Sequence, residues 1–306
     1  MKSTIRSVII MAIIFVVAQL GALVMASSIL TPQNRAFSNP NDPLIPILYI
    51  GAIILFTFAV LYIIRKKRED IVKFIFIGAV AFTIFYVLLA IMAKFTSNDL
   101  ALVPPLAITG VLTYLLVKKP EWYVVDISGV LMAIGIIGIF GISLSIVPVL
   151  VLLVALAIYD AVSVYGTKHM VALADGVTKM RLPILLVIPK KIDYSYLEQK
   201  SLVEQLEKGE EREAMFMGLG DVIIPGVLTA SAYSFVDNVS FHGIPSNLVI
   251  ALGTLLGSVL GFAALMRFVL RGRPQAGLPL LNGGAIIGYV IFYVIVFGSF
   301  SHFPLG

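Results

Sequence analysis

Residues 145–166 read Ser-Ile-Val-Pro-Val-Leu-Val-Leu-Leu-Val-Ala-Leu-Ala-Ile-Tyr-Asp-Ala-Val-Ser-Val-Tyr-Gly, a run whose single charge is Asp160. An α-helix needs about 20 mainly apolar residues to cross the hydrocarbon of a bilayer, and this run has that length. A helix satisfies its own backbone groups, so lipid tolerates it. Working outward, comparable stretches lie at 7–30, 44–64, 71–93, 98–117, 123–141, 214–237, 245–267 and 276–299. With 145–166 they make nine expected spans. Only 141–145 separates the fifth from the sixth. The expected fold is all-α: a polytopic membrane protein with nine transmembrane helices.

Composition supports lipid as the solvent. The chain is 59% hydrophobic and 13% charged, with a mean hydropathy of +1.03. A soluble domain carries about 45–50% apolar and about 25% charged residues, and one water-facing core could not hide this much apolar surface. The first stretch follows Lys2 and Arg6 but exceeds the roughly 7–15 apolar residues of a secretory signal, so it is expected to be a retained span. With no cysteine in the chain, disulfides, thiolate metal sites and a cysteine nucleophile are excluded.

The basic residues orient the bundle. With the N-terminus cytoplasmic, all but Arg35 and Lys94 of the 22 basic residues fall on the inner side, as the positive-inside rule requires. The C-terminus is then outside. The net charge of +5 and the pI near 9.3 are thereby explained without nucleic acid as a partner. Between spans six and seven the chain turns polar. It divides into a six-helix part (1–165), a polar cytoplasmic loop (166–213) and a three-helix part (214–306). Val171, Leu173, Val177 and Met180 suit either an interfacial helix or a plain connection. The stretch 194–214 could form a short amphipathic helix. Gly253, Gly257 and Gly261 in span eight have the four-residue spacing that brings two helix backbones together. Pro104, Pro105, Pro148 and Pro225 are expected to interrupt spans.

Acids inside the spans carry the chemistry. A charge at mid-bilayer costs at least about 2.5–3.5 kcal/mol, which makes it a functional candidate. Asp126 lies close to the inner interface, where a structural role is expected. Asp160 precedes the inner end of span six by six residues, and Asp221 follows the expected inner start of span seven by seven. At 1.5 Å per residue each is roughly 9–11 Å deep. Two carboxyls at one depth on consecutive antiparallel helices can meet, and in a low-dielectric site they share one proton. One then activates water while the other protonates a peptide carbonyl. Gly218 and Gly220, flanking Leu219, leave room for a substrate backbone or serve helix packing.

Tyr159-Asp160 and Gly218-Leu219-Gly220-Asp221 resemble the YD and GxGD motifs of the presenilin and signal peptide peptidase family. A third family motif, Pro-Ala-Leu, opens the last span; the corresponding stretch here is Gln275-Ala276-Gly277-Leu278-Pro279, which keeps Leu278 and Pro279 and departs before them. The resemblance covers essentially the whole chain and is most like a microbial presenilin homologue. It implies an intramembrane aspartyl protease of the cell membrane, acting on transmembrane-helix substrates and needing neither cofactor nor metal. It also implies that Asp160 and Asp221 are catalytic, that Tyr159 lies beside them, and that Gly218, Leu219, Gly220, Ala276, Gly277, Leu278 and Pro279 contact substrate. With the orientation above, substrates have their N-termini outside, and 166–213 is the region for self-cleavage.

Other chemistries fit less well. A zinc protease needs H-E-x-x-H, a spacing that His169, His242 and His302 do not provide. Ser231 and Ser234 have no histidine within a span to activate them. Prepilin peptidases share GxGD but typically carry a cysteine cluster. A proton- or ion-coupled transporter using the same two aspartates is the alternative, although no inverted repeat is visible. A non-catalytic adaptor, with the acids only bridging helices, is the third.

Overall fold

The structure is a computed structural model describing residues 2–37, 39–65, 69–95, 102–167, 181–191, 193–199, 213–271 and 275–298. Among them are nine α-helices: α1 (Lys2–Ile29), α2 (Leu44–Arg65), α3 (Glu69–Met92), α4 (Val103–Lys118), α5 (Trp122–Ser143), α6 (Ile146–Val162), α7 (Leu219–Phe235), α8 (Ser246–Val269) and α9 (Gly277–Phe297). Six of the helical stretches are long and apolar enough to cross a membrane, and α4 and α7 are shorter apolar helices. The antiparallel strands β1 (Leu185–Pro189) and β2 (Ala214–Gly218) precede α7, and β3 (Ser240–Phe241) pairs with β4 (Ile244–Pro245) before α8. The expected interfacial segment at 171–180 lies outside the described residues, as does most of 194–214, where Tyr196–Glu198 forms a 3₁₀ turn.

The chain sorts into two compact units. One comprises Met1–Ser7, Leu44–Met132 and Val171–Leu219. Its core joins Val80 and Ile84 of α3, Leu112 and Leu116 of α4, and Val124 and Val125 of α5 with Val187, Tyr194, Tyr196 and Ala214. The i,i+4 pairs of α3 and α4 show one apolar face of each of these two helices turned inward. Burial, with the nearby Tyr196, Glu213, Glu121 and Asp126, pushes the Tyr194 hydroxyl's ionisation upward. It therefore stays a neutral donor to Gln199 Oε1 at 2.7 Å.

Two expectations change here. The stretch 214–218 is strand β2, not the start of a spanning helix, because the apolar run Leu185–Pro189 within the polar loop provides it with a partner. Asp221 consequently stands in the first turn of α7, not two turns inside it. Pro104 and Pro105 open α4, and Pro148 sits in the first turn of α6, where a missing N–H costs nothing. Of the four prolines only Pro225 lies inside its helix.

The β1–β2 ladder is extended by Lys190 N–H to Glu213 O (2.8 Å) and Leu219 N–H to Ile184 O (2.9 Å). Bonded rungs alternate in an antiparallel pair, so Leu185, Val187 and Pro189 turn their backbone groups away from β2. On that outer edge Val187 N–H donates to Asp126 Oδ1 at 2.7 Å, and Pro189 O accepts Ser7 Oγ at 2.9 Å.

The second unit comprises Val8–Pro43, Ala133–Met170 and Gly220–Gly306. The turn from α5 to α6 is two residues long and pinned by Ser145 N–H to Pro40 O (2.9 Å) and Ser231 Oγ to Leu144 O (2.8 Å). Helices α8 and α9 interlock through glycine. An added Cβ would strike the Leu280 backbone from Gly261 and the Gly284 carbonyl from Gly257, while one at Gly288 would strike the Gly253 carbonyl. Positions 261, 257 and 253 thus oppose 280, 284 and 288 in antiparallel register, the close backbone approach expected for span eight. A buried polar chain ties α1 to α7 and α8: Thr229 Oγ1 donates to Gln19 Oε1 (2.8 Å), and Gln19 Nε2 donates to Ser258 Oγ (3.2 Å).

Candidate active site

Asp160 occupies the inward face of α6 together with Val149 and Leu153, at 6% exposure, while Tyr159 beside it is 66% exposed. One step along an α-helix rotates about 100°, so the two side chains diverge. The carboxyl of Asp160 meets the start of α9. Its Oδ2 accepts Leu278 N–H at 3.0 Å, and the Gly277 backbone bonds the same carboxyl. Ala276 is the N-cap residue of α9, so these N–H groups have no acceptor within their own helix. Asp160 supplies it from α6, at the positive end of the α9 dipole.

Asp221 reaches the same place from α7. A Cβ built on Gly277 would stand 3.2 Å from Asp221 Oδ1 and 3.4 Å from its Cγ. Gly277 therefore touches both aspartates, one through its backbone N–H and the other across the space a side chain would fill. Asp160, Asp221, Gly277 and Leu278 are brought together, with Ala276 buried beside them and donating its N–H to Tyr165 Oη at 3.4 Å. Pro279 follows, partly buried, in the first turn of α9.

The glycines before Asp221 divide their work. Gly218 closes β2, and Leu219, 2% exposed, bonds Ile184 O through its N–H, so both serve the hairpin. Gly220 is exposed, and among the described residues nothing comes within 4 Å of an added Cβ. Of the two it is the one that leaves space beside the acid.

Two contributors escaped the sequence reading. Tyr165 lies five residues past Asp160 in the π-helical turn Ser163–Thr167, a spacing that regular α periodicity does not align; such turns recur at functional sites. Asn282, 1% exposed, donates its Nδ2 to Leu153 O at 2.9 Å. This bond fastens α9 to α6 two turns from Asp160. Its signal was available: a lone amide in an apolar span, four residues after Leu278.

Two carboxyls at one glycine, one buried and one partly buried, form a group in which one acid can hold a proton while the other accepts one. Comparison with known proteins points the same way. The family model described as signal-peptide peptidase, presenilin aspartyl protease matches residues 11–298. A solved structure of a presenilin family intramembrane aspartate protease in space group C222 is 34% identical, with a TM-score of 0.69, covering 94% of this chain and 99% of its own. One in space group P2 is 32% identical, with a TM-score of 0.62, covering 92% and 96%. No curated protein matches significantly.

Proposed function

The chain belongs to the signal-peptide peptidase, presenilin aspartyl protease family, and on that premise we propose that Asp160 and Asp221 are its catalytic pair. As a member it is a membrane-embedded, multi-pass aspartic endopeptidase that acts on transmembrane substrates within the bilayer. The observation carrying the assignment of the pair is their shared contact with Gly277.

In the proposed reaction the ionised acid takes a proton from water as the water oxygen attacks the scissile carbonyl carbon. The protonated acid gives its proton to the carbonyl oxygen. As the tetrahedral diol collapses and its C–N bond breaks, one diol hydroxyl returns its proton to the ionised acid while the other acid protonates the leaving amine, so the pair again holds one proton. Water must be held where both acids reach it, and the exposed backbone at Gly220 leaves an approach for an extended peptide. Gly277, Leu278 and Pro279 would border that peptide on the α9 side, with Ala276 beneath them. Tyr159, exposed on α6, would meet substrate only outside the pair.

The orientation belongs to the same proposal. Nine spans with the N-terminus cytoplasmic and the C-terminus outside place the basic residues on the inner face of the cell membrane. That arrangement favours substrates whose N-termini lie outside and leaves 166–213 as the self-cleaved loop between parts 1–165 and 214–306.

The test is cleavage of a spanning peptide by the protein reconstituted in vesicles. Asp160→Asn and Asp221→Asn should each lower kcat by about 10²–10⁴-fold, with the melting temperature held or raised. Either variant cleaving at the wild-type rate removes that residue from the chemistry.

A further inference from the structure

We propose that Asp126 is a positioning residue for the reaction: by holding the outer edge of β1 it fixes the strand pair that leads directly into Asp221. The inference rests on the assignment of Asp221 above. The cost of an acid in an apolar span needs a reason, and the structure offers one. Asp126, 5% exposed on α5, accepts Val187 N–H at 2.7 Å. Its Oδ2 is buried with no hydrogen-bond partner among the described residues. Val187 N–H cannot be used by β2, because it points to the opposite edge, so without Asp126 it would be a buried donor with no acceptor.

The same face of α5 supports the rest of the hairpin. One turn on, an added Cβ at Gly129 would lie 3.5 Å from Pro183 O and 3.6 Å from the side chains of Leu186 and Leu219. Glu121, just before α5, accepts Ser195 Oγ (2.8 Å) and Tyr196 N–H (3.0 Å). Register then passes along the ladder from Val187–Phe216 to Leu185–Gly218 and to the Leu219–Ile184 bond. Asp221 is two residues further along the chain. A strand displaced at Val187 is displaced at Leu219.

The experiment is peptide cleavage in vesicles, with kcat and KM measured separately and thermal melting followed alongside. Asp126→Leu should lower kcat about tenfold or more, with KM within about twofold, because misplacement of an acid acts on the chemical step. Asp126→Asn, which keeps an oxygen acceptor, should restore kcat to within about threefold. Gly129→Ala fits the measured space and should be neutral, whereas Gly129→Val should lower kcat while leaving the hydrogen bond untouched. A folded Asp126→Leu enzyme at wild-type kcat overturns the proposal. So does an Asn variant as slow as the Leu variant, since the carboxyl's proton or charge would then be what matters. If Asp126→Leu does not fold, Gly129→Val decides, and wild-type kcat there is equally fatal. Asp221→Asn, measured in parallel, separates these results from failure of the catalytic assignment: full cleavage by that variant sinks the assignment whatever Asp126 does.

Discussion

At Gly277 the absence of one carbon holds the site open. A methyl group there would crowd Asp221 Oδ1 at 3.2 Å, so the carboxyl would have to yield by a few tenths of an ångström. Gly277→Ala should therefore lower kcat by about tenfold to a hundredfold, the range expected when a reacting group is misplaced. The melting temperature should stay within about 2 °C, as no buried contact is lost. Kinetics and calorimetry on one preparation would check both halves. Asp160 and Asp221 drew attention in the sequence because a charge in an apolar span stands out against its cost. Their common depth was inferred on a false premise, a helix beginning at Ala214, yet both side chains reach the first turn of α9. Gly277 was noticed only through its place in a motif, since nothing in a glycine announces which two side chains will flank it. Tyr165 was hidden by a π turn that no periodicity predicted.

Among the elements, α9 matters most, for its first turn carries the N–H groups that Asp160 accepts. Two devices set its position. Asn282→Ala removes the bond to Leu153 O and should cost about 1 kcal/mol of stability. Cleavage should weaken as well, because the Leu278 contact shares the same pair of helices. Gly257→Val drives a side chain into the Gly284 carbonyl; overpacking of this kind costs about 1–3 kcal/mol. Stability against denaturation and activity should fall together in that variant, unlike in Gly277→Ala. The four-residue glycine spacing of α8 was readable as a packing seam, although its partners Gly284 and Gly288 were not singled out. Strand β2 was misread because five apolar residues before a helix carry no signature of their own. Only the partner run Leu185–Pro189, distant in sequence, makes them a strand.

For the whole molecule, one proton shared by the proposed pair predicts a bell-shaped pH profile of kcat. Below the lower apparent pKa of the pair both acids are protonated and no base remains; above the upper one both are ionised and no acid remains. A rate that climbs without a maximum would exclude a shared proton. Orientation can be tested directly because the chain contains no cysteine. Arg35→Cys and Lys190→Cys, each the only thiol in its protein, should react with an impermeant reagent from opposite sides of a sealed vesicle. Labelling from the same side would refute the charge-based topology. That topology rests on the sequence alone, because basic residues are distributed by loop and need no tertiary contact to be counted.

The glycine seam between α8 and α9 has a mechanical consequence. Backbones that touch at three successive levels cannot slip past one another by part of a turn without carbonyls colliding, so the two helices travel as one lever. Any excursion that parts Asp160 from Leu278 is then a movement of α6 against α8 and α9 taken together, never of α9 alone.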